Sequence, residues 1–211
     1  MNLEYYIEQH IDEEPEHLRE LTRATNLETL HSRMLSGHLQ GRILSMISKL
    51  VAPINILEIG TFTGYSALCL AEGLQKGGRL TSIEINDEIA EFACQAIEKS
   101  EYSDNINIVL GDALEVIPKL QYTFQLIFID ANKRDYSSYY DMVFPLLDIG
   151  GVIIADNVLW SGKVVRKLDE KDEQTVELLA FNEKVKNDSK VEKVILPVRD
   201  GISIIRKISN D

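Results

Sequence analysis

The 211-residue chain has only two cysteines, Cys69 and Cys94, both inside stretches patterned as helices and without paired spacing. A disulfide framework or a thiolate metal site needs sulfurs at matched spacing, so both are expected to be reduced packing residues. Long apolar runs are also missing. Segments such as Ile149 to Ala155 are short and broken by glycine, far below the ~20 residues of a membrane-spanning helix. The first fifteen residues carry Glu4, Glu8, Asp12, Glu13 and Glu14 where a secretory signal would have a basic flank and an apolar core, so a cytoplasmic location is expected. Positive charge is the remaining deficit: 22 Lys and Arg face 34 Asp and Glu, for a formal net charge of −12. A protein that grips long nucleic acid must neutralise phosphates with clustered cations, so the balance favours a small-molecule partner and no membrane. With 45% hydrophobic residues, 27% charged residues and no internal repeat, disorder, collagen and coiled coil are excluded.

What is present is an alternation. From residue 54 onward, short β-branched runs alternate with amphipathic stretches, the signature of βαβ units around a parallel sheet. Strands are predicted at 54–59, 79–84, 105–110, 124–130 and 150–156, and helices at 64–76, 87–99, 112–120, 135–147 and 171–187. Asn86 or Asp87 can cap the second of these helices, and Gly77-Gly78 would end the first. Two further strands, 191–197 and 201–207, are separated only by Val198-Arg199-Asp200. So short a loop permits only an antiparallel hairpin, because a parallel return needs a crossover of about a dozen residues. The expected fold is therefore α/β, a doubly wound, Rossmann-like seven-stranded sheet with an antiparallel last strand. The first 53 residues read as helices at 3–10, 16–28 and 36–51, the last with Leu39, Ile43, Ile47 and Leu50 on one face. No linker separates them from the rest, so residues 1–211 form one domain, a helical appendage at 1–53 on an α/β core at 54–211.

In an open α/β sheet, ligands bind beyond the carboxyl ends of the strands. Those ends are polar here: Glu58 and Gly60, Glu84, Asp112, Asp130, and the pair Asp156-Asn157. The first turn, Gly60-Thr61-Phe62-Thr63-Gly64, breaks the dinucleotide fingerprint by placing Phe62 where a pyrophosphate needs bare backbone. It suits a nucleoside without phosphates. Glu84, 24 residues past Gly60, can accept hydrogen bonds from both ribose hydroxyls.

Four motifs in order, E-I-G-T-F-T-G-Y-S, G-D-A-L, F-I-D-A-N-K and I-I-A-D-N-V-L-W, resemble the metal-dependent catechol and caffeoyl-CoA type O-methyltransferases over residues 30–207. The resemblance implies the class I methyltransferase fold, S-adenosylmethionine as cofactor, a vicinal aromatic diol such as a catechol, caffeate or a caffeoyl-CoA-like molecule as acceptor, and a homodimer. By matching position it implies cofactor contacts from Met34, Glu58, Gly60, Thr61, Gly64, Ser66, Glu84, Asp112, Ala113 and Asp130. It implies a divalent cation held by Asp130, Asp156 and Asn157. Two carboxylates and an amide oxygen are a hard set suited to magnesium, with calcium or manganese conceivable. Lys133 and Asp130 are the implied catalytic residues, with Lys133 as base, and Met34, Lys133 and Trp160 the implied substrate contacts. Lysine titrates near ~10.4 unless perturbed, so Lys133 needs nearby positive charge or desolvation to act as a base. Asn132 stands where close relatives often carry an acid, and His38 is left outside the catalytic set. Two other readings remain open at this point. One is methylation of a hydroxylated tRNA base, for which Lys184, Lys186, Lys190 and Lys193 would supply a local basic patch. The other is a non-catalytic module that binds an adenosyl ligand.

Overall fold

A computed structural model describes residues 3–211. Seven strands, β1 (Asn55–Ile59), β2 (Arg79–Glu84), β3 (Ile106–Leu110), β4 (Phe124–Ile129), β5 (Leu147–Ala155), β6 (Val191–Leu196) and β7 (Ile202–Lys207), form one sheet in the order β3-β2-β1-β4-β5-β7-β6. Strands β1 to β5 pair in parallel. Strand β7 runs antiparallel to both β5 and β6, as the short loop before it requires. The central strands are buried on both faces: Ile56, Leu57, Leu126, Ile127, Phe128 and Ile129 are fully enclosed. That explains why they read as continuous apolar runs and not as alternating ones.

Helices cover both faces. Before the sheet come α1 (Leu3–Glu8), α2 (Glu16–Glu28) and α3 (Gly37–Val51); within it follow α4 (Tyr65–Ala71), α5 (Asp87–Glu98), α6 (Ala113–Val116), α7 (Tyr136–Val143) and α8 (Glu173–Asn187). One apolar core lies under α7 and α8 and is built around Phe124, Tyr136 and Phe181. The other lies under α3 and α4, around Leu18, Leu44 and Tyr65. The chain order reverses direction between β1 and β4, and the site opens there. Among the described residues no helix is long and apolar enough to cross a membrane.

Several expectations need correction. The helix predicted at 64–76 ends at Ala71. A Cβ on Gly73 would collide with the backbone of Ser48, so α3 crosses α4's end too closely for the helix to continue. The helix predicted at 112–120 is a single turn at Ala113–Val116, tightened into a 3₁₀ turn at Pro118. That at 135–147 starts one residue late and ends at Val143, where a turn containing Pro145 follows. Strand β5 starts at Leu147, which pairs with Phe124 across a bulge. The other strands begin or end within a residue of expectation.

The apolar stripe predicted for α3 is not its buried face. Leu50 is 79% exposed, while Gln40, Gly41, Leu44, Ser45 and Ser48 are buried. A Cβ at Gly41 would meet Tyr65 and Cys69 at under 3 Å, so small residues, not the apolar period, select the face that approaches α4. Cys69 is buried here as a free thiol, with burial pushing it up to about 12. Cys94 is exposed, so only one cysteine is a packing residue.

Candidate functional site

One cavity of about 710 Å³ opens at the carboxyl ends of β1 to β5. Its first wall is the turn after β1. Gly60 (φ +95°) allows the turn to pass the carbonyl of Asp130, which any Cβ would strike. Gly64 (φ +89°) precedes α4, and even Phe62 is left-handed at φ 48°. The carboxylate of Glu84 stabilises this strained turn: Oε2 accepts from Phe62 N at 2.9 Å, and Oε1 accepts from Ile85 N and Asn86 N at 3.0 Å each. Three backbone donors lock the side chain in place, 8% exposed and facing the cavity. The carboxylate lines the cavity with lone-pair capacity beyond these three bonds.

At the opposite end the acids converge. Asp130 follows β4 and Asp156-Asn157 follow β5, all lining the cavity. Burial, reinforced by the charge of Asp130, pushes the carboxyl of Asp156 up to about 6. Two carboxylates facing one low-dielectric space repel each other, and a cation relieves that repulsion. Asn157 is left-handed (φ 59°), a conformation asparagine tolerates better than most residues. Among the described residues no cluster of three or more His, Cys, Asp or Glu forms a metal site, so an ion here would draw on the Asn157 amide and on oxygens of water or ligand. The donor set fits a hard divalent cation with open positions.

Lys133 is 7% exposed and donates from Nζ to Asp130 Oδ1 and to the Tyr136 hydroxyl, both at 2.8 Å. Burial by itself would lower its pKa. The Tyr136 hydroxyl and the Asp130 carboxylate outweigh that and leave it raised. Tyr136 in turn donates to the Asp156 carbonyl at 2.9 Å, so one hydroxyl fastens the lysine to the end of β5. Trp160 lines the cavity in a left-handed conformation (φ 47°).

Of the residues singled out in the sequence, Met34, Gly60, Thr61, Ser66, Glu84, Asp112, Ala113, Asp130, Lys133, Asp156, Asn157 and Trp160 all face this cavity. Glu58 and Gly64 do not. Glu58 lies beneath the floor at 0% exposure, accepting from Ser82 Oγ, and burial pushes its carboxyl up to about 8. Gly64 packs toward Ala93 and Ile97 of α5. Asp112 serves two ends, capping α6 through Leu114 N at 2.9 Å while lining the cavity. His38 is turned away, bonded to the Asp12 carbonyl. Sequence reasoning missed Gln40, Arg199 and Tyr136. A glutamine inside an apolar helical pattern was the one available signal, and nothing in its local sequence points to β5.

The family model described as O-methyltransferase matches residues 8–208. The chain belongs to the O-methyltransferase family. It is 36% identical over 207 residues to "Caffeoyl-CoA O-methyltransferase 1" of Nicotiana tabacum, covering 93% of this chain and 86% of that one. It is 35% identical over 206 residues to the protein of the same name in Eucalyptus globulus, covering 93% and 83%. Among solved structures, the O-methyltransferase TomG from Streptomyces achromogenes, involved in tomaymycin synthesis and in complex with SAM, superposes with a TM-score of 0.90 at 28% identity, over 97% of this chain and 95% of that one. This O-methyltransferase is therefore an enzyme with the class I methyltransferase fold, and the non-catalytic reading is set aside.

Proposed function

We propose that this O-methyltransferase transfers the methyl group of S-adenosylmethionine to one oxygen of a vicinal aromatic diol with the help of a divalent cation. One observation carries the reading: a single cavity has the Gly60 turn and Glu84 at one end and Asp130, Asp156, Asn157 and Lys133 at the other. The relatives named for caffeoyl-CoA methylation and the SAM-bound structure support it.

The roles follow from chemistry. Glu84 would accept the ribose hydroxyls, and Asp112-Ala113 would flank the adenine. Asp130, Asp156 and Asn157 would hold a magnesium-type ion, which when bound supplies Lewis acidity and a charge that orients two adjacent oxygens. Lys133 is an ammonium paired with Asp130 here, so it could take the acceptor proton only after releasing its own to solvent, which the positive charge of a bound cation and the diversion of Asp130 to that cation would favour. Trp160 offers a flat aromatic face and Met34 a flexible thioether to an aromatic ring. Rate comes from holding oxygen and methyl in line, with water excluded by residues 33–36 above the cavity.

A small diol fits better than a tRNA base. Three of the four C-terminal lysines that would grip phosphates are paired locally, Lys184 with Asp141 at 2.5 Å, Lys186 with Glu183 at 3.0 Å and Lys193 with the Asp188 carbonyl at 2.9 Å, while Lys190 lies over the Phe144 ring. We also read the protein as a homodimer, with the outer face of α3, where Met46 and Leu50 are exposed, as the apolar surface to be covered.

The deciding experiment is methyl transfer from labelled S-adenosylmethionine to catechol, caffeate, caffeoyl-CoA, phenol and bulk tRNA, with magnesium and with EDTA. Catechol-type acceptors should be methylated only with the ion, and Asp156→Ala should lose at least about 100-fold in turnover while still binding cofactor. Full activity in EDTA, or equal rates on phenol and catechol, would refute the reading.

A further inference from the structure

Two side chains far apart in sequence meet at Asp156. Gln40, on the first turn of α3 and 1% exposed, donates from Nε2 to Asp156 Oδ2 at 2.6 Å. The other oxygen, Oδ1, accepts from Asn157 N at 2.7 Å. Both carboxylate oxygens are thus held, one by its own turn and one by the appendage. The Gln40 amide is itself oriented, because its Oε1 accepts from Arg199 Nη1 at 3.3 Å. A guanidinium can only donate and an ionised carboxylate can only accept, so both neighbours dictate the same amide orientation.

Arg199 does more than orient that amide. Its Nη1 also donates to the carbonyl of Leu35 at 2.7 Å and to that of Ser36, on the stretch that carries Met34 over the cavity. Arg199 occupies the β6–β7 turn in a left-handed conformation (φ 48°). The same turn holds the loop after β5, since the Asp200 carbonyl accepts from Leu159 N at 2.9 Å and the Gly201 carbonyl accepts from Val158 N at 3.1 Å. Roof and acid end of the cavity therefore hang from one hairpin.

We propose that Gln40 is a positioning residue for Asp156 and that Arg199 couples it to the roof at residues 33–36, so that roof placement and carboxylate orientation depend on each other. Neither residue touches the reacting atoms; each acts through Asp156 or the roof. The proposal rests on the reading of Asp156 as a cation ligand. Outer partners of ligating carboxylates fix the oxygen that faces the ion, and losing one typically weakens metal affinity 10- to 100-fold.

The test is direct titration of the apo protein with Mn²⁺, followed by its paramagnetic signal, alongside calorimetry with S-adenosylhomocysteine. Gln40→Met, of similar volume, should weaken Mn²⁺ binding by about tenfold with cofactor affinity unchanged. Gln40→Asn, which keeps the amide but loses reach, should behave the same way, whereas a mere need for a polar filler would leave it like wild type. Arg199→Ala should weaken Mn²⁺ binding in the wild-type background and have no additional effect in Gln40→Met, and amide exchange over residues 33–36 should rise. If wild type binds Mn²⁺ and both Gln40 variants bind it equally well, the positioning role is overturned and the metal reading stands. If wild type binds no Mn²⁺, the metal reading falls and the proposal with it. Additive Arg199 and Gln40 effects on Mn²⁺ binding would overturn the coupling, and a loss of cofactor affinity in the Gln40 variants equal to their loss of Mn²⁺ affinity would overturn the positioning role.

Discussion

At the scale of single residues, the acids of this protein are set apart by their surroundings. Glu84 is held by three backbone N–H groups, and a glutamine there would bring an NH₂ against at least one of those donors. Glu84→Gln should therefore weaken S-adenosylmethionine binding by about 1–3 kcal/mol, roughly five- to 150-fold, through both a lost acceptor and a loosened turn. Calorimetry reads this directly, and unchanged affinity would remove Glu84 from the site. Glu58 sits only two residues before Gly60 yet is enclosed, and burial holds its carboxyl neutral up to about pH 8. Its folded value lies above the ordinary one near 4.5, so its contribution to stability is complete below pH 4.5 and is lost as pH rises toward 8. Over that window it should subtract up to about 1.4 kcal/mol of stability per pH unit. Glu58→Gln should flatten the profile; urea denaturation at pH 5 and pH 8 that shows the same slope in both proteins would contradict it.

At the scale of elements, the junction of α3 and α4 joins the helical appendage to the sheet. Glu72, just past α4, accepts from Arg42 Nη2 at 2.5 Å, Ser45 Oγ at 2.7 Å and Lys49 Nζ at 2.8 Å, all on α3. Burial alone would raise its pKa, but these three partners hold it down at about 2. The depressed value means that its stabilisation is present above pH 4.5 and disappears as pH falls from 4.5 to 2. After allowance for solvent screening, Glu72→Gln should cost about 1–2 kcal/mol at pH 7 and about a quarter of that at pH 2.5. Thermal denaturation at both pH values checks it, and an equal cost at both would show that charge is not the cause. The strands and their order of appearance were legible in the sequence, because buried parallel strands carry dense β-branched runs with polar residues at their ends. The ends of α4, α6 and α7 were not, because a glycine contact with α3 and prolines at 118 and 145 decide them.

At the scale of the whole molecule, the exposed side chains of Met46 and Leu50 on α3, of Leu27 in the last turn of α2 and of Leu30 just after it are large apolar groups on one segment of the chain. Light scattering should give twice the chain mass, and Leu50→Lys should shift it toward the monomer. A monomeric wild type at all concentrations would remove the dimer without touching the chemistry. The charge of −12 should likewise make activity on a small neutral diol weakly dependent on salt. A steep salt dependence would signal a polyanionic acceptor.

The alternation of strands and helices, the reversed last strand and the polar residues at the strand ends were readable from the chain alone. These depend on local periodicity, loop length and turn chemistry, which short windows of sequence contain. The motifs further carried the likeness from which the acid end of the site could be named. The buried face of α3, the place of Glu58 under the floor and the tie of Lys133 to Asp130 and Tyr136 emerge only once the elements pack. The tertiary structure alone joined Gln40 to Asp156, across 116 residues, and Arg199 to Gln40, across 159. Such contacts arise where chain segments cross at the sheet's carboxyl edge, and a side chain's neighbours there are set by the packing of whole elements, not by its position along the chain.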